Sequence, residues 1–167
     1  VDMGLLFFVS NSFSKNLSLY GERVGGLSVV CKDEAQAKAV QGQLQFNIRR
    51  IYSSPPSHGG HVVDIVMNDE ALFNEWVQEV YVMRDRIKDM RQKLRDSLEA
   101  KLPGRSFEYI TKQNGMFSYT GLTPEQVARI IKDFGIYMVA NGRISVAGLN
   151  ASNIDYVANA MAEVLKD

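Results

Sequence analysis

The sequence of 167 residues has one cysteine, no net charge and no long apolar run. Cys31 alone cannot form a disulfide within the chain, and this suits the reducing conditions of the cytoplasm. The 19 lysines and arginines balance the 19 aspartates and glutamates, and such a balance does not favour a nucleic acid or an anionic membrane as partner. No apolar run approaches the ~18 residues of a transmembrane helix. We therefore expect a cytoplasmic globular protein.

The first residue is valine and not methionine, and we expect the opening residues not to be a signal peptide. Residues 1–9 have neither a basic segment nor a small-residue cleavage site, and they lead directly into an apolar run. We therefore expect a part of a longer protein. A metal site is not indicated either. His58 and His61 lie three residues apart in a glycine-rich loop, but no cysteine or glutamate accompanies them.

The first part of the chain alternates short apolar runs with polar segments. Residues 5–9 and 27–31 predict two buried strands, joined by a polar loop that contains glycine. Asp33 is placed to cap a helix over residues 34–50, and a second helix is predicted over residues 61–67.

One long amphipathic helix is predicted in the middle of the chain. Its apolar residues recur at steps of three and four: Leu72, Trp76, Val80, Met83, Ile87, Met90, Leu94 and Leu98. Asn68 or Asp69 can cap its start and Pro103 ends it, which gives about 30 residues. A helix of this length is expected to link two lobes or to pack along both.

The last part of the chain predicts a small α+β unit. Thr123, Pro124 and Gln126 form a capping box, and Gly135 is placed to end that helix. Four strands are predicted, at residues 107–112, 116–120, 136–140 and 143–147. The last two flank Asn141-Gly142, a pair typical of a two-residue hairpin turn. Asn150 can cap a final helix.

The loop after the first strand holds the candidate chemical groups. Ser12, Ser14 and Lys15 follow the strand, and Arg23 comes eight residues after Lys15. Hydroxyl donors and an arginine suit a phosphate, and a lysine amine near another cation suits Schiff-base chemistry. Taken alone, a loop lysine is more often simply solvated.

An alternative interpretation of the same loop is an acyl-serine enzyme. The spacing Ser12-x-x-Lys15 matches the serine–lysine signature of penicillin-binding proteins and class A β-lactamases. Those enzymes also need Ser-Asp-Asn and Lys-Thr-Gly elements, and neither occurs in this chain. The acyl-serine hypothesis is therefore a distant alternative.

Four segments resemble the class I aspartate aminotransferase family. They are SNSFSKNLSLYGERVG at residues 10–25, IRRIYSSPP at 48–56, KQNGMFS at 112–118 and ANGRISVAG at 140–148. The amino-acid sequence of residues 19–26 and 116–122 is similar to that of the aromatic-amino-acid (tyrosine) branch. The resemblance covers nearly the whole chain and implies the C-terminal part of a pyridoxal-phosphate-dependent transferase of fold type I.

The resemblance also implies a division into domains. Residues 1–68 correspond to the end of the large α/β domain that binds the cofactor. Residues 69–102 correspond to the long helix between the domains, and residues 103–167 to the small C-terminal α+β domain. The N-terminal part of such proteins supplies much of the site, so the segment alone is expected to be inactive.

Roles for individual residues follow from the same resemblance. Lys15 is implied as the residue that binds pyridoxal 5′-phosphate and moves the proton at the substrate's α-carbon. Ser12 and Arg23 are implied to bind the cofactor phosphate. Arg143 is implied to pair with the α-carboxylate of amino-acid and oxo-acid substrates, and Phe117 to pack near the substrate. As isolated features, Arg143 could be solvated at a strand end, and Phe117 alternates with Tyr119 as a core residue does.

Two further residues are implied to act in a homodimer. Arg49 would reach the partner's site and bind the distal carboxylate of aspartate or glutamate, with Ser53 close by on the cofactor-phosphate side. An aromatic substrate has no second carboxylate, so dual specificity requires Arg49 to move aside. On their own, Arg49 and Arg50 read as surface residues at a helix end.

The implied function is transamination between an aromatic or dicarboxylic amino acid and a 2-oxo acid such as 2-oxoglutarate. Two alternatives remain from the sequence. In the first, the protein would be an aspartate aminotransferase proper. In the second, the segment would be a non-catalytic module for folding or dimerisation.

Overall fold

The computed structural model describes residues 3–166, which divide into two compact units between Gln78 and Glu79. The boundary between the units falls within a long helix. The first unit contains strands β1 (Phe8–Ser12) and β2 (Gly25–Val29), helices α1 (Glu34–Ile51) and α2 (His58–Asn68), and the start of α3 (Glu70–Lys101). Among the described residues, no helix has both the length and the apolar character needed to cross a membrane.

The two strands of the first unit pair with each other in antiparallel register, from Phe8 opposite Val29 to Ser12 opposite Gly25. Each is displaced by two or three residues from its predicted position. The prediction that both strands are buried is wrong for this chain, because Phe8 is 70% and Leu27 52% exposed. An apolar pattern shows which side chains favour burial, but it does not supply the surface that covers them.

Both predicted helices of the first unit are present, and the bounds of α1 agree closely with the prediction. The Asp33 carboxylate accepts a hydrogen bond from the Gln36 amide at 2.8 Å and so caps α1. α2 begins at His58, earlier than predicted, and its buried Gly59 lies against Glu22. A Cβ added at Gly59 would come within 2.8 Å of the Glu22 Cβ, so only glycine allows this approach.

The long helix is confirmed as one element of 32 residues. The Asp69 side chain accepts from the Leu72 amide at 2.9 Å and provides the cap. Within the second unit, Met90, Leu94 and Leu98 on this helix are buried, as their spacing predicts.

The second unit packs helices around a two-stranded sheet. After α3 it contains α4 (Glu108–Lys112), β3 (Phe117–Tyr119), α5 (Pro124–Phe134), β4 (Arg143–Ser145), a single 3₁₀ turn (Val146–Gly148) and α6 (Ile154–Leu165). Its core is formed by fully buried apolar side chains from several of these elements, among them Leu94, Leu98, Phe107, Ile130, Val146 and Val164. The α+β class predicted for the last part of the chain is present, but the described residues of this unit contain two strands where four were predicted.

The predicted strand at residues 107–112 is wrong, since most of this segment forms α4. Phe107 and Ile110 are both buried, and the Ile110 amide donates to the Phe107 carbonyl at 3.0 Å. A spacing of three between buried positions fits a helical turn and not the spacing of two in a strand. The Lys112–Glu108 ion pair at 3.0 Å also has the separation that a helix favours.

The predicted hairpin between residues 136–140 and 143–147 is also wrong. β4 pairs instead with β3, with Phe117 opposite Ser145 and Tyr119 opposite Arg143. The Gly142 amide donates to the Val139 carbonyl at 2.9 Å, so the turn is centred on Ala140 and Asn141, and Gly142 is its last residue. The Gly142 carbonyl accepts from both the amide and the hydroxyl of Thr120, and this draws the segment to β3.

The two remaining helices begin at well-defined positions. The Thr123 capping box of α5 is present in full, and Gly135 ends the helix in a left-handed conformation with φ of 64°. The predicted capping role of Asn150 is wrong, because α6 is preceded by Asn153. The Asn150 side chain instead accepts from the Ser152 and Asn153 amides and so stabilises the turn before the helix.

Candidate active site

The loop that carries Lys15 is closed by the strands on either side of it. Beyond the last strand pair, Ser12 opposite Gly25, the Phe13 amide donates to the Val24 carbonyl at 3.2 Å. Lys15 and Arg23 therefore belong to one closed loop, although they are eight positions apart in the sequence. The antiparallel pairing explains why a serine, a lysine and an arginine distant in sequence share this end of the strand pair.

Tyr20 contacts both cations of this loop. The Lys15 Nζ lies 5.4 Å from the centroid of the Tyr20 ring, and the Arg23 Nη1 donates to the Tyr20 carbonyl at 2.9 Å. All three side chains are exposed. Sequence reasoning did not single out Tyr20, and the only signal for it was a position between the two predicted cations.

The hydroxyl of Ser12 has a fixed local partner. Its Oγ accepts a hydrogen bond from the Ser14 amide at 3.2 Å. The O–H of Ser12 can still donate outward, because accepting a bond does not use the hydroxyl hydrogen. Ser14 itself is buried.

Two of the predicted cofactor residues have left-handed backbones. Arg23 has φ of 54° and Ser53 has φ of 64°. Among the described residues other than glycine, only Ser18, in the Lys15 loop, shares this conformation. Such conformations cost about 1–3 kcal/mol each, and they concentrate at functional sites. The left-handed residues other than glycine therefore lie in the Lys15 loop and at Ser53, which are the segments that the sequence predicted to bind the cofactor.

The loop is held to α3 by one long-range hydrogen bond. The Trp76 Nε1 donates to the Asn16 carbonyl at 2.8 Å. The Asn16 Oδ1 is buried and has no hydrogen-bond partner within residues 3–166. A buried acceptor without a partner costs free energy, so we expect the Asn16 Oδ1, next to Lys15, to accept a hydrogen bond from a further donor.

Arg49 and Ser53 are brought into direct contact at the end of α1. The Arg49 Nη1 donates to the Ser53 Oγ at 2.7 Å, and both residues are exposed. The neighbouring Arg50 instead lies over the Phe46 ring, at 5.1 Å from its centroid. The two adjacent arginines therefore have different environments, which the sequence did not indicate.

In the second unit, Phe117 and Arg143 lie against each other. The guanidinium carbon of Arg143 is 4.9 Å from the centroid of the Phe117 ring. Ser118 and Thr120 are buried, whereas Phe117 and Tyr119 are 40% and 54% exposed. The interpretation of Phe117 as a core residue is therefore wrong, because the strand presents its small polar residues to the interior.

Arg91 is a functional candidate that sequence reasoning missed. It is 3% exposed, and its Nη2 donates to the Phe117 carbonyl at 2.6 Å. Burial lowers the pKa of Arg91 from its usual value. A signal was present in the sequence, because Arg91 lies four residues after Ile87 and three before Leu94, on the apolar face of α3.

The structure thus brings the predicted residues together in three groups. Ser12, Lys15 and Arg23 share one loop, Arg49 bonds Ser53, and Phe117 packs on Arg143. The part of the chain covered by residues 3–166 contains no cluster of three or more histidine, cysteine, aspartate or glutamate side chains that could hold a metal. The chemistry of these groups is that of cations, hydroxyls and one amine.

Comparison with known proteins identifies the family. Residues 1–161 match the family described as aminotransferase class I and II. The chain is 55% identical over 162 residues to the aromatic-amino-acid aminotransferase of Escherichia coli strain K12, which covers 97% of this chain and 41% of that protein.

Solved structures agree in both sequence and fold. A psychrophilic aromatic amino acids aminotransferase from Psychrobacter sp. B6, cocrystallised with aspartic acid, is 72% identical with a TM-score of 0.95. That match covers 99% of this chain and 42% of the other. An aromatic-amino-acid aminotransferase from Burkholderia pseudomallei, covalently bound to pyridoxal phosphate, is 51% identical with a TM-score of 0.91, over 98% and 41% of the two chains.

These matches bear on the predictions made from the sequence. The resemblance to aminotransferases is confirmed, and so is the α/β fold of the pyridoxal-phosphate-dependent transferases. The match to the aminotransferase family takes the place of the acyl-serine interpretation of Ser12. The chain spans about two fifths of the length of the relatives that it matches, and over that length it belongs to the aminotransferase class I and II family.

Proposed function

We propose that the complete protein is a pyridoxal-phosphate-dependent aminotransferase for aromatic and dicarboxylic amino acids, with a 2-oxo acid such as 2-oxoglutarate as acceptor. The observation that carries the proposal is the closed loop on which an exposed lysine and an arginine contact the same tyrosine, in a chain that belongs to this family. The remainder of the protein completes the site, since this chain spans about two fifths of its relatives.

The side chains of the Lys15 loop fit a phosphorylated aldehyde cofactor. The Ser12 hydroxyl can donate to a phosphate oxygen, because its bond from the Ser14 amide uses only a lone pair. The guanidinium of Arg23 binds phosphate oxygens with directional, charge-assisted bonds. Lys15 supplies the amine that carries the cofactor aldehyde. The set of one amine, one hydroxyl and one guanidinium is the chemistry that such a cofactor requires.

Lys15 is proposed to move the proton during transfer. The cofactor, when bound, supplies an electron sink for the charge that forms at the substrate's α-carbon. The Lys15 Nζ would take the proton from that carbon and hold it for its return. Tyr20 contacts both Lys15 and Arg23, and these contacts favour a positioned base, which is more effective than a mobile one.

Arg143 and Phe117 are proposed to bind the part common to all substrates. Arg143 pairs with the α-carboxylate through two parallel hydrogen bonds, which fix direction as well as charge. The Phe117 ring lies against the same guanidinium and limits the directions from which a carboxylate can approach. This arrangement supports recognition of amino acids and oxo acids alike.

Arg49 and Ser53 are proposed to act in the partner's site of a homodimer. Arg49 binds the distal carboxylate of aspartate or glutamate, and Ser53 lies near the cofactor phosphate. The Arg49–Ser53 hydrogen bond at 2.7 Å gives Arg49 a resting partner when an aromatic side chain leaves it without a carboxylate. A mobile Arg49 with such a partner avoids the cost of an unpaired guanidinium.

Three further features of the complete protein are proposed with this function. The domain division is residues 1–68, 69–102 and 103–167, and the protein acts in the cytoplasm. A preference for aromatic substrates is favoured by the 55% identity to the Escherichia coli aromatic-amino-acid aminotransferase. An aspartate aminotransferase proper is the second candidate. The relative that was cocrystallised with aspartic acid is itself an aromatic amino acids aminotransferase and fits a protein that accepts both substrate classes.

The proposal is tested on the full-length protein by borohydride reduction and peptide mapping. We expect a reduced phosphopyridoxyl adduct on Lys15, and we expect Lys15→Ala to remove both the adduct and transamination. Lys32→Ala is the matched control and retains both. An adduct on another lysine would overturn the assignment of Lys15, and the absence of any adduct would support the non-catalytic module. The ratio of kcat/KM for phenylalanine to that for aspartate decides between the two substrate preferences.

A further inference from the structure

The edge of β3 away from β4 is occupied by side chains. β3 pairs with β4 on one side only, from Phe117 opposite Ser145 to Tyr119 opposite Arg143. The residues described contain no third strand in this sheet. The backbone groups on the other edge must bond elsewhere, because unpaired polar groups near a core are costly.

Arg91 supplies donors to this edge and to the loop before it. Its Nη2 donates to the Phe117 carbonyl at 2.6 Å and to the Gly115 carbonyl at 2.8 Å. Its Nη1 donates to the Ile110 carbonyl at 2.7 Å and to the Ser118 hydroxyl at 3.0 Å. The charge thus has carbonyl and hydroxyl partners at hydrogen-bond distance. A planar guanidinium with several donors suits this arrangement, whereas an ammonium cannot reproduce the fork.

Gln113 completes the same edge. Its Oε1 accepts from the Tyr119 amide at 2.7 Å, and its Nε2 donates to the Tyr119 carbonyl at 3.0 Å. One side-chain amide therefore bonds both backbone groups of Tyr119, as a neighbouring strand residue does. The Ser118 hydroxyl links the two side chains, since it accepts from Arg91 and donates to the Gln113 Oε1 at 3.2 Å.

The contacts of Arg91 and Gln113 are made with the strand that carries Phe117. Phe117 and Arg143 are the pair that we assign to the substrate carboxylate. Phe117 and Tyr119 are the residues whose backbones Arg91 and Gln113 hold, and they flank the buried Ser118. Phe117 packs on the Arg143 guanidinium, and Tyr119 lies opposite Arg143 in the strand pair. A shift of β3 would therefore move both neighbours of Arg143.

We propose that Arg91, assisted by Gln113, is a positioning residue that takes the place of a missing third strand and so fixes Phe117 and Arg143 for binding of the substrate's carboxylate. This inference rests on the proposed role of Arg143. Arg91 does not touch the substrate. It acts through the backbone of β3, and its burial protects the hydrogen bonds from competition by water.

The test uses the full-length holoenzyme and 3-phenylpropionate, a monocarboxylate that has no amino group and cannot be transaminated. Its Kd, measured by isothermal titration calorimetry, reports the carboxylate interaction of Arg143. We expect Arg91→Lys to raise this Kd about tenfold, because a misplacement of about 1 Å at a binding group can cost as much as 100-fold. KM for phenylalanine should rise in parallel, with kcat changed much less.

Three comparison variants separate positioning from stability. Gln113→Ala, which leaves Arg91 in place, should raise the Kd by a smaller factor, and it decides the matter if Arg91→Lys does not fold. Val164→Ala removes part of a fully buried side chain of α6 and should lower Tm while leaving the Kd unchanged. Arg143→Leu should abolish binding of 3-phenylpropionate.

Each contrary result has a distinct meaning. If Arg143→Leu weakens binding but Arg91→Lys and Gln113→Ala bind as the unsubstituted protein does, the positioning role is overturned and the proposed function stands. The positioning role is also overturned if Val164→Ala weakens binding as much as Arg91→Lys. If Arg143→Leu has no effect on the Kd, the proposed role of Arg143 fails and the inference fails with it.

Discussion

The indole Nε1 of Trp76 donates a hydrogen bond to the carbonyl of Asn16 at 2.8 Å, across 60 positions of the chain. Asn16 follows Lys15 directly, and the Ser18 amide donates to the Lys15 carbonyl at 3.4 Å. The start of α3 therefore holds the backbone on which the candidate cofactor lysine is mounted.

Replacing Trp76 by phenylalanine should loosen this loop. The substitution keeps an aromatic ring but leaves the Asn16 carbonyl without its donor, and we expect the free energy of unfolding to fall by about 1 kcal/mol. Amide hydrogen exchange at Ser18 should become faster. Tyr137→Phe, at a tyrosine that is 85% exposed, is the control and should change neither quantity. Unchanged exchange at Ser18 would contradict a role for Trp76 in ordering the loop.

Arg49 and its neighbour Arg50 offer a matched pair for substrate specificity. Arg49→Leu should lower kcat/KM for aspartate by about 30-fold or more, because loss of a buried charge pair costs about 2–5 kcal/mol. The value for phenylalanine should change far less, since this substrate has no distal carboxylate. Arg50→Leu removes the same charge from a residue that contacts Phe46 and should leave the ratio unchanged. Equal losses for both substrates would contradict the assignment of Arg49.

Gly142 is expected to tolerate no side chain. Its φ is 81°, and an added Cβ would lie 2.9 Å from the Leu122 carbonyl oxygen. Gly135 has φ of 64° but open space around it, and Gly148 has neither constraint. We therefore expect Gly148→Ala to be nearly neutral, Gly135→Ala to cost about 1 kcal/mol, and Gly142→Ala to cost more. Chemical denaturation measures the order, and an equal cost at Gly135 and Gly142 would exclude the steric contribution.

Glu99 should contribute to the loss of stability in acid. The Phe107 amide donates to its Oε1 at 2.9 Å, and this bond, together with Arg95, holds the pKa of Glu99 below its usual value. A lowered pKa in the folded state gives stability that is present above the unfolded-state pKa and lost as the pH falls through the folded-state pKa. Glu99→Gln should therefore flatten the acid side of the stability curve. Glu75→Gln is the control, and an equal flattening there would contradict this role.

Tyr109 should contribute to the loss of stability at alkaline pH. Burial raises the pKa of Tyr109, whose hydroxyl donates to the Thr120 carbonyl at 2.6 Å. A raised pKa means that the folded state retains the proton, so this stability is present below the unfolded-state pKa and is lost as the pH rises through the folded-state pKa. Tyr109→Phe should reduce the decline of Tm at alkaline pH, whereas Tyr137→Phe should not. An unchanged alkaline decline in Tyr109→Phe would exclude this contribution.

Local features of the fold could be predicted from the sequence because their physical causes are local. The capping box at Thr123 and the stop at Gly135 depend on residues within a few positions of each other, and both are present. The same holds for the Asp33 cap and for the long helix, whose apolar period of three and four persists over its length. The candidate site segments were likewise found through continuous stretches of sequence.

The partners of each segment were decided only by the tertiary structure. Residues 107–112 contain residues that suit a strand, yet the burial of Phe107 and Ile110 on one face favours a helical turn. Asn141-Gly142 has the composition of a hairpin turn, but the bonds from Thr120 to the Gly142 carbonyl bind it to β3. Local preference was overridden because long-range contacts contribute more free energy than a turn propensity does.

The same division applies to the candidate site. The sequence by itself determined the family, and with it the identity of Lys15, Arg23 and Arg143 as candidates. It did not determine that Phe117 faces outward against Arg143, nor that Arg91 is buried behind it. The direction of a strand's side chains depends on which face the rest of the unit covers. A buried charge, in turn, depends on carbonyl groups that only the folded chain brings together.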